Sequence, residues 1–480
     1  MRRSPTWLVL LLCLFVTACS DSGDGASTTT ASPLERTTGV TTAIAPGQES
    51  TDADTPFFDA VQSPGTLEWR ELAAGTGSAA PAFVHAVDAE TGDEAWRLEV
   101  PWPSFPWLQL AGDRLIYSYQ NLGEEDVIVA VGLDGAPLWQ STTNWRFHGP
   151  FYADDEMLVG VARARDRNVS AQSAVVALDI DTGLLIWEEK LRWLPENGEQ
   201  GHVAVGSDAV FVVRPNGRTI AFDLATGQRR WSVKLENRVS GVPLYVDGAV
   251  LVGTHNGLAA LDALDGTELW FAETGRRQIA SPEGVAAGNA VAWMNNARNP
   301  GFFVAAANLE TGSQAWTGQS YLQFHVGESS VVGFEFDESQ DYPSQVLVWD
   351  GASGRVLADV DTAGSVNPFS VAITDRDVYV GTTGVSNEAG GLIAIDVTGG
   401  VAAWDTPLGG SLGTPTTDRA AVYVPAQLPD EARRGALHAV ARASGEVLWT
   451  FEAEMDITTR PLLANGLVFV VSAEVVAGRL

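Results

Sequence analysis

Cysteine is almost missing from this 480-residue chain: there are two, Cys13 and Cys19, both at the N-terminus. No disulfide can staple the rest of the sequence, so a fold of this length must be held by its own apolar core. Histidine is sparse too. The six, at positions 85, 148, 202, 255, 325 and 438, stand singly and have no cysteine beside them, which is not a zinc spacing. Positive charge is scarce: 29 Lys and Arg against 60 Asp and Glu leave a formal charge of −31. Such a surface repels phosphate backbones and anionic headgroups, so nucleic acid is excluded and membrane contact is expected only through an anchor. Helical periodicity is nearly absent, and so is the strand-turn-helix elbow signature that would expose a catalytic serine.

The N-terminus reads as an address. Arg2 and Arg3 precede an apolar stretch, Trp7 to Val16, that is too short for a comfortable membrane span but suits the core of a signal peptide. It closes on Val16-Thr17-Ala18-Cys19, which resembles the bacterial lipobox. Residues 1–18 are therefore expected to be a lipoprotein signal peptide, with Cys19 the acylated (palmitate-type) first residue of the mature chain. Several acyl chains hold a protein on a membrane where a single one does not. Residues 19–56 are small and polar and cannot repay the entropy of ordering, so they read as a tether. Residues 57–480 are the folded domain. The location expected is the outside of the cytoplasmic membrane or an outer membrane. Without the two leader arginines the charge of −31 becomes −33.

A hairpin signature recurs along the domain: Asp, a short gap, Gly, three residues, Trp. Its tryptophans are Trp96, Trp139, Trp187, Trp231, Trp270, Trp316, Trp404 and Trp449, and a ninth copy carries Ala358 at that position. The spacing between copies runs from 39 to 48 residues. The Asp can accept turn amides, the Gly can close the turn, and the Trp then falls at a fixed place on the next strand. A unit of that size with four short strands matches a propeller blade, and the repeated Trp is expected as filling between blades. Where Ala358 replaces it, Trp349 is the expected substitute.

The run Leu258-Ala-Ala-Leu-Asp-Ala-Leu-Asp-Gly-Thr-Glu-Leu-Trp270 is similar to the repeat of PQQ-dependent dehydrogenases and of their cofactor-free relatives. Those relatives include the lipoprotein scaffold of the bacterial outer-membrane protein assembly machine. The resemblance covers residues 80 to 480 and implies an all-β, PQQ-like propeller of four-stranded antiparallel blades. Eight blades are expected. A leftover hairpin at Trp96 and two possible strands at 467–480 could pair to close the ring as a ninth blade, or the hairpin could pack outside an eight-bladed ring, so seven to nine blades are compatible with the count. The dehydrogenases of the family carry a ring-cysteine disulfide, a calcium set and a catalytic Asp, none of which can be placed on this chain. No cofactor is therefore expected. The function implied is a non-enzymatic envelope scaffold for a protein or peptide. The alternatives are a quinoprotein dehydrogenase, and a ligand sensor working through a separate membrane chain.

Candidate partner-binding residues come from the segments linking second to third strands and blade to blade, which share one face of a propeller. Tyr119–Asp126, Arg163–Ala174, Met294–Phe302, Glu335–Gln345 and Pro425–Ala436 are the longest of the first kind. Trp102, Phe105, Trp107, Trp145 and Phe147 supply aromatic side chains, which are enriched at binding hot spots. Seven residues after successive signature tryptophans stand Arg146, Arg238 and Arg277, with Gln323 at the same offset in another unit. In a ring these form a positive collar suited to carboxylates. The competing reading pairs each Arg with an acid of its own blade.

Overall fold

The computed structural model describes residues 58–62 and 82–473, apart from 101–107, 121–125, 144, 148–151, 154–155, 165–172, 192–201, 240, 275–277, 297–298, 321–323, 337–342, 363, 384–389 and 429–433. The signal peptide, Cys19 and the whole of the expected tether lie outside the described residues.

Every described element is a strand, and the strands assemble into nine antiparallel sheets. Blade 3 shows the pattern: His202–Val205, Ala209–Val213, Arg218–Asp223 and Arg229–Lys234, hydrogen-bonded in chain order. Its second strand is buried throughout and its third nearly so, whereas Arg229, Arg230 and Lys234 of the fourth are exposed. Blades 1, 2 and 4 to 8 repeat this order over 108–143, 145–190, 244–273, 278–320, 325–361, 365–407 and 411–453. Blade 1 also carries Phe58–Gln62 as a fifth strand, antiparallel to its outer strand Pro137–Thr143.

Blade 9 is built from both ends of the domain. Ala82–Asp88 and Glu94–Val100 are its third and fourth strands, and Ala82–Asp88 pairs with Leu467–Ala473. Asp456–Ile457 and Leu462–Ala464 complete it on the inner side. Nine sheets replace the eight expected from family habit: the leftover Trp96 hairpin and the C-terminal strands form a full blade together.

Each signature hairpin obeys the same local chemistry. Asp179 Oδ1 accepts from the amides of Asp181 and Thr182, and the Gly183 amide donates to the Asp179 carbonyl. Gly183 sits at φ +69°, and a Cβ there would lie 2.4 Å from the Trp139 ring, so only glycine fits both the turn and its neighbour. A one-residue bulge falls just before Trp187, between Ala177 and Leu178 of the partner strand. The same shift recurs in the third–fourth hairpin of every blade, and such bulges re-aim a side chain.

The re-aimed indoles join the ring. Trp96 donates to the Leu133 carbonyl, Trp139 to Ile180, Trp187 to Leu224, Trp231 to Ala263, Trp270 to Leu309 and Trp316 to Gly351, always in the turn of the next blade. Trp404 donates to Arg442 and Trp449 to Ala89, which closes the cycle from blade 8 to blade 9. Only the junction of blades 6 and 7 lacks this latch. It is filled by branched aliphatics, among them Val348, Val360, Val371, Val380 and Ile393. Trp349, the expected substitute, packs instead with Trp316 and Val304 on the opposite side of blade 6. Trp349 pairs in register with Val356, so its alternation sends it away from blade 7.

Candidate functional site

Two regions remain for function once the latches are assigned: the face of long links and the ring axis. The five long segments do connect second to third strands, at 120–126, 164–173, 296–299, 336–343 and 427–435. Their interiors are outside the described residues, as are Trp102, Phe105, Trp107, Arg277 and Gln323.

Trp145, Arg146 and Phe147 form a short first strand of blade 2, facing Ala164, Arg163 and Ala162 in register. Arg238 is exposed in the link from blade 3 to blade 4, where its carbonyl accepts the His255 amide. Its neighbour Val239 bridges Thr254. Both described positions at the offset of seven therefore lie beside the end of a second strand, on the link face. Arg146 and Arg238 belong to different blades.

The axis holds residues that the sequence reading passed over. First strands of successive blades meet: the Asn367 amide donates to the Leu412 carbonyl, the Thr414 hydroxyl to Phe369, and the Thr416 hydroxyl to Pro461. Each of these strands is interrupted beside a proline, in Val242-Pro243, Pro282-Glu283, Pro368-Phe369, Thr414-Pro415 and Arg460-Pro461. Proline removes a ladder donor, so the strand bends and one side chain is thrust out of the sheet. Val242 is 49% and Phe369 64% exposed, unlike the buried apolar residues around them. Arg460 is exposed, and its Nε donates to Thr416. His325 in blade 6 feels the charge of Arg460 in blade 9, three blades further round. The recurring proline, 10 to 12 residues after these five signature positions, was the available signal.

Burial raises the Glu283 carboxyl above its ordinary value, against the opposing hydrogen bond to Ser281. It stands without a second carboxylate for company: among the described residues no three of His, Cys, Asp and Glu converge as a metal site. The family's calcium-dependent quinone chemistry needs such a carboxylate set, and the described axial residues do not fit it. What the arrangement supplies is a rigid rim carrying an apolar residue, an aromatic, a carboxylate and a guanidinium.

A family model described as outer membrane protein assembly factor BamB matches residues 80–192, 171–406 and 388–479. The outer membrane protein assembly factor BamB of Burkholderia pseudomallei is 25% identical over 314 residues, 62% of this chain and 75% of that protein. Quinohemoprotein alcohol dehydrogenase ADH-IIG of Pseudomonas putida is 28% identical over 206 residues, 39% of this chain but 25% of that enzyme. Among solved structures, BamB from Moraxella catarrhalis is similar with a TM-score of 0.42 and 18% identity, covering 67% of this chain and 93% of that one.

Proposed function

This chain belongs to the outer membrane protein assembly factor BamB family of PQQ-like β-propellers, and from that membership we propose a non-enzymatic scaffold that binds envelope proteins. The observation that carries the reading is the family match over nearly the whole folded domain. The ring is consistent with it: its repeated residues serve turns and latches, and its variable residues gather on the link face and the axis. Such a ring offers a rigid platform, which lowers the ordering cost of binding an extended partner segment. Arg238 and Phe369 are of the types that dominate interface energetics. The anchor at Cys19 would hold this platform on its membrane, with residues 19–56 as a spacer.

No cysteine follows Cys19, which makes the test direct. Single cysteines placed by Arg238→Cys, Val242→Cys or Phe369→Cys should cross-link to envelope proteins in intact cells. Controls on the opposite, hairpin face, Thr182→Cys and Glu310→Cys, should not. Equal cross-linking from both faces would remove the link face as the platform. A PQQ absorbance band retained by purified protein in Ca²⁺ would move the function to the quinoprotein alternative. Cys19→Ser should shift the protein from the membrane to the soluble fraction with its thermal melt unchanged, and a mutant that stays membrane-bound after leader cleavage would overturn the anchor.

A further inference from the structure

Three histidines are packed into consecutive blade interfaces on one side of the ring. His85, 3% exposed, points from blade 9 toward blade 8, with Phe451 edge-on at 5.2 Å. Its Nδ1–H donates to Glu94 Oε1 at 2.7 Å, and Nε2 meets the Ser472 hydroxyl at 2.7 Å. That second bond ties the N-terminal strand of blade 9 to its C-terminal strand. His438, 6% exposed, pairs its Nδ1 with Thr450 Oγ1 at 2.9 Å. It alternates with Ala436 and Val440, which pack on Tyr379 and Ala394, so it faces blade 7. Its Nε2 has no hydrogen-bond partner. His325 of blade 6 donates from Nε2 to the Pro368 carbonyl of blade 7 at 2.7 Å.

The three therefore occupy the interfaces 6/7, 7/8 and 8/9. Of the other histidines, His255 lies in the turn between the second and third strands of blade 4, where burial and Arg238 also lower it, and the side chains of His148 and His202 lie outside the described residues. The same arc contains the one junction without an indole latch and the seam where the two ends of the domain meet.

We propose that blades 6 to 9 form an acid-sensitive sector, in which protonation of His85, His325 and His438 loosens the ring while blades 1 to 5 stay closed. A proton on any of them brings charge into an interface that is largely apolar. Ser472 would have to turn its hydroxyl away from His85, and His438 would carry an unanswered N–H. The charged groups that face them do not cancel this. His85 feels Glu94 and Glu454 but also Arg97; His438 feels Glu452; His325 feels only the repelling Arg460.

Burial is the largest influence on each, and it lowers all three below the ordinary histidine value. A lowered histidine contributes stability that is present above about pH 6.5 and is lost as pH falls toward its folded value. The raised carboxylates, Glu188, Glu283, Glu335 and Asp405, act in the opposite sense and are spread over blades 2, 5, 6 and 7. The lowered turn carboxylates, Asp88, Asp223, Asp265 and Asp350, lose their contribution only at lower pH, below about 4.

Hydrogen exchange by mass spectrometry at pH 7.5 and 5.5, corrected for intrinsic rates, tests this on the full chain. Peptides from 325–473 and 82–100 should exchange about tenfold faster at the lower pH. Peptides from 209–234 should change less than about twofold. The variant His85→Gln/His325→Gln/His438→Gln should lose the contrast between the two arcs. Should it fail to fold, each single variant must lose the response at its own interface. Histidine ring NMR on the wild type adds an independent reading, with His85, His325 and His438, like His255, expected to titrate below about 6.5. A uniform rise around the ring, a contrast that survives the substitutions, or no histidine titrating low would each overturn the proposal.

Discussion

Across from every signature tryptophan, on the neighbouring third strand, stands an alanine. The pairs are Ala86–Trp96, Ala130–Trp139, Ala177–Trp187, Ala221–Trp231, Ala260–Trp270, Ala306–Trp316, Ala394–Trp404 and Ala439–Trp449. In blade 6 the pair is inverted in size, Val348 opposite Ala358. The small partner leaves the indole room to lie over the next blade's glycine. The tryptophans were legible because their spacing is constant. The alanines were not, because a small residue in a strand announces nothing until its partner is known. Trp231→Ala and Trp270→Ala should each cost about 3–5 kcal/mol in a denaturant titration, as removal of a buried aromatic leaves a cavity. The reverse change is more telling. Ala358→Trp should destabilise by about 1–3 kcal/mol, and adding Val348→Ala should not restore it. A Cβ on Gly400 would lie 2.7 Å from the Leu357 carbonyl, so blade 7 already occupies the place an indole needs. Recovery in the double variant would show that volume alone governs the junction.

At the scale of elements, the hairpin was readable in detail and the closure was not. Asp-to-Gly-to-Trp spacing determines a turn, a bulge and an inward side chain, all local consequences of a short stretch of chain. Blade 9 depends instead on pairing Ala82–Asp88 with Leu467–Ala473, strands nearly 400 residues apart in the sequence, and no local pattern names a strand's partner. The eight-blade expectation failed at that point. The axial strands were hidden for another reason: they are short, broken by proline and only partly buried, so they lack clear alternation. Closure also sets stability. Deleting Asp456–Ala473 removes the inner strands of blade 9 and leaves Ala82–Asp88 with a bare edge in place of Phe469 and Val471. The truncated protein should lose its single cooperative thermal transition by circular dichroism and expose strand edges that promote aggregation. A sharp melt within a few degrees of wild type would mean that eight blades can close without the ninth.

The whole molecule joins a closed ring to a net charge of −31, and each constrains how it can bind. Closure supplies rigidity, while the charge keeps the ring soluble and turns away anionic surfaces. Positive positions on the link face therefore stand out against their background. Arg238 is exposed there and makes no salt bridge among the described residues, whereas Arg114, Arg230, Arg434 and Arg442 each pair with a carboxylate. Within-blade pairing thus describes Arg230 and Arg434, Arg114 and Arg442 reach a carboxylate of the adjoining blade, and Arg238 does neither among the described residues. If Arg146, Arg238 and Arg277 do ring the link-face opening, reversing all three to Glu should abolish capture of an acidic envelope partner. Folding should be little changed, since exposed ion pairs contribute about 0–1 kcal/mol each. The wild-type interaction should weaken as salt is raised, because steering between exposed charges is screened over about 10 Å at 0.1 M. Pull-downs from envelope extract at two ionic strengths, wild type against the triple variant, read both effects. Identical partner sets would dismiss the collar and leave Val242 and Phe369 at the axis as the remaining described surface. A fall in melting temperature with the triple variant would assign the arginines to the framework of their own blades.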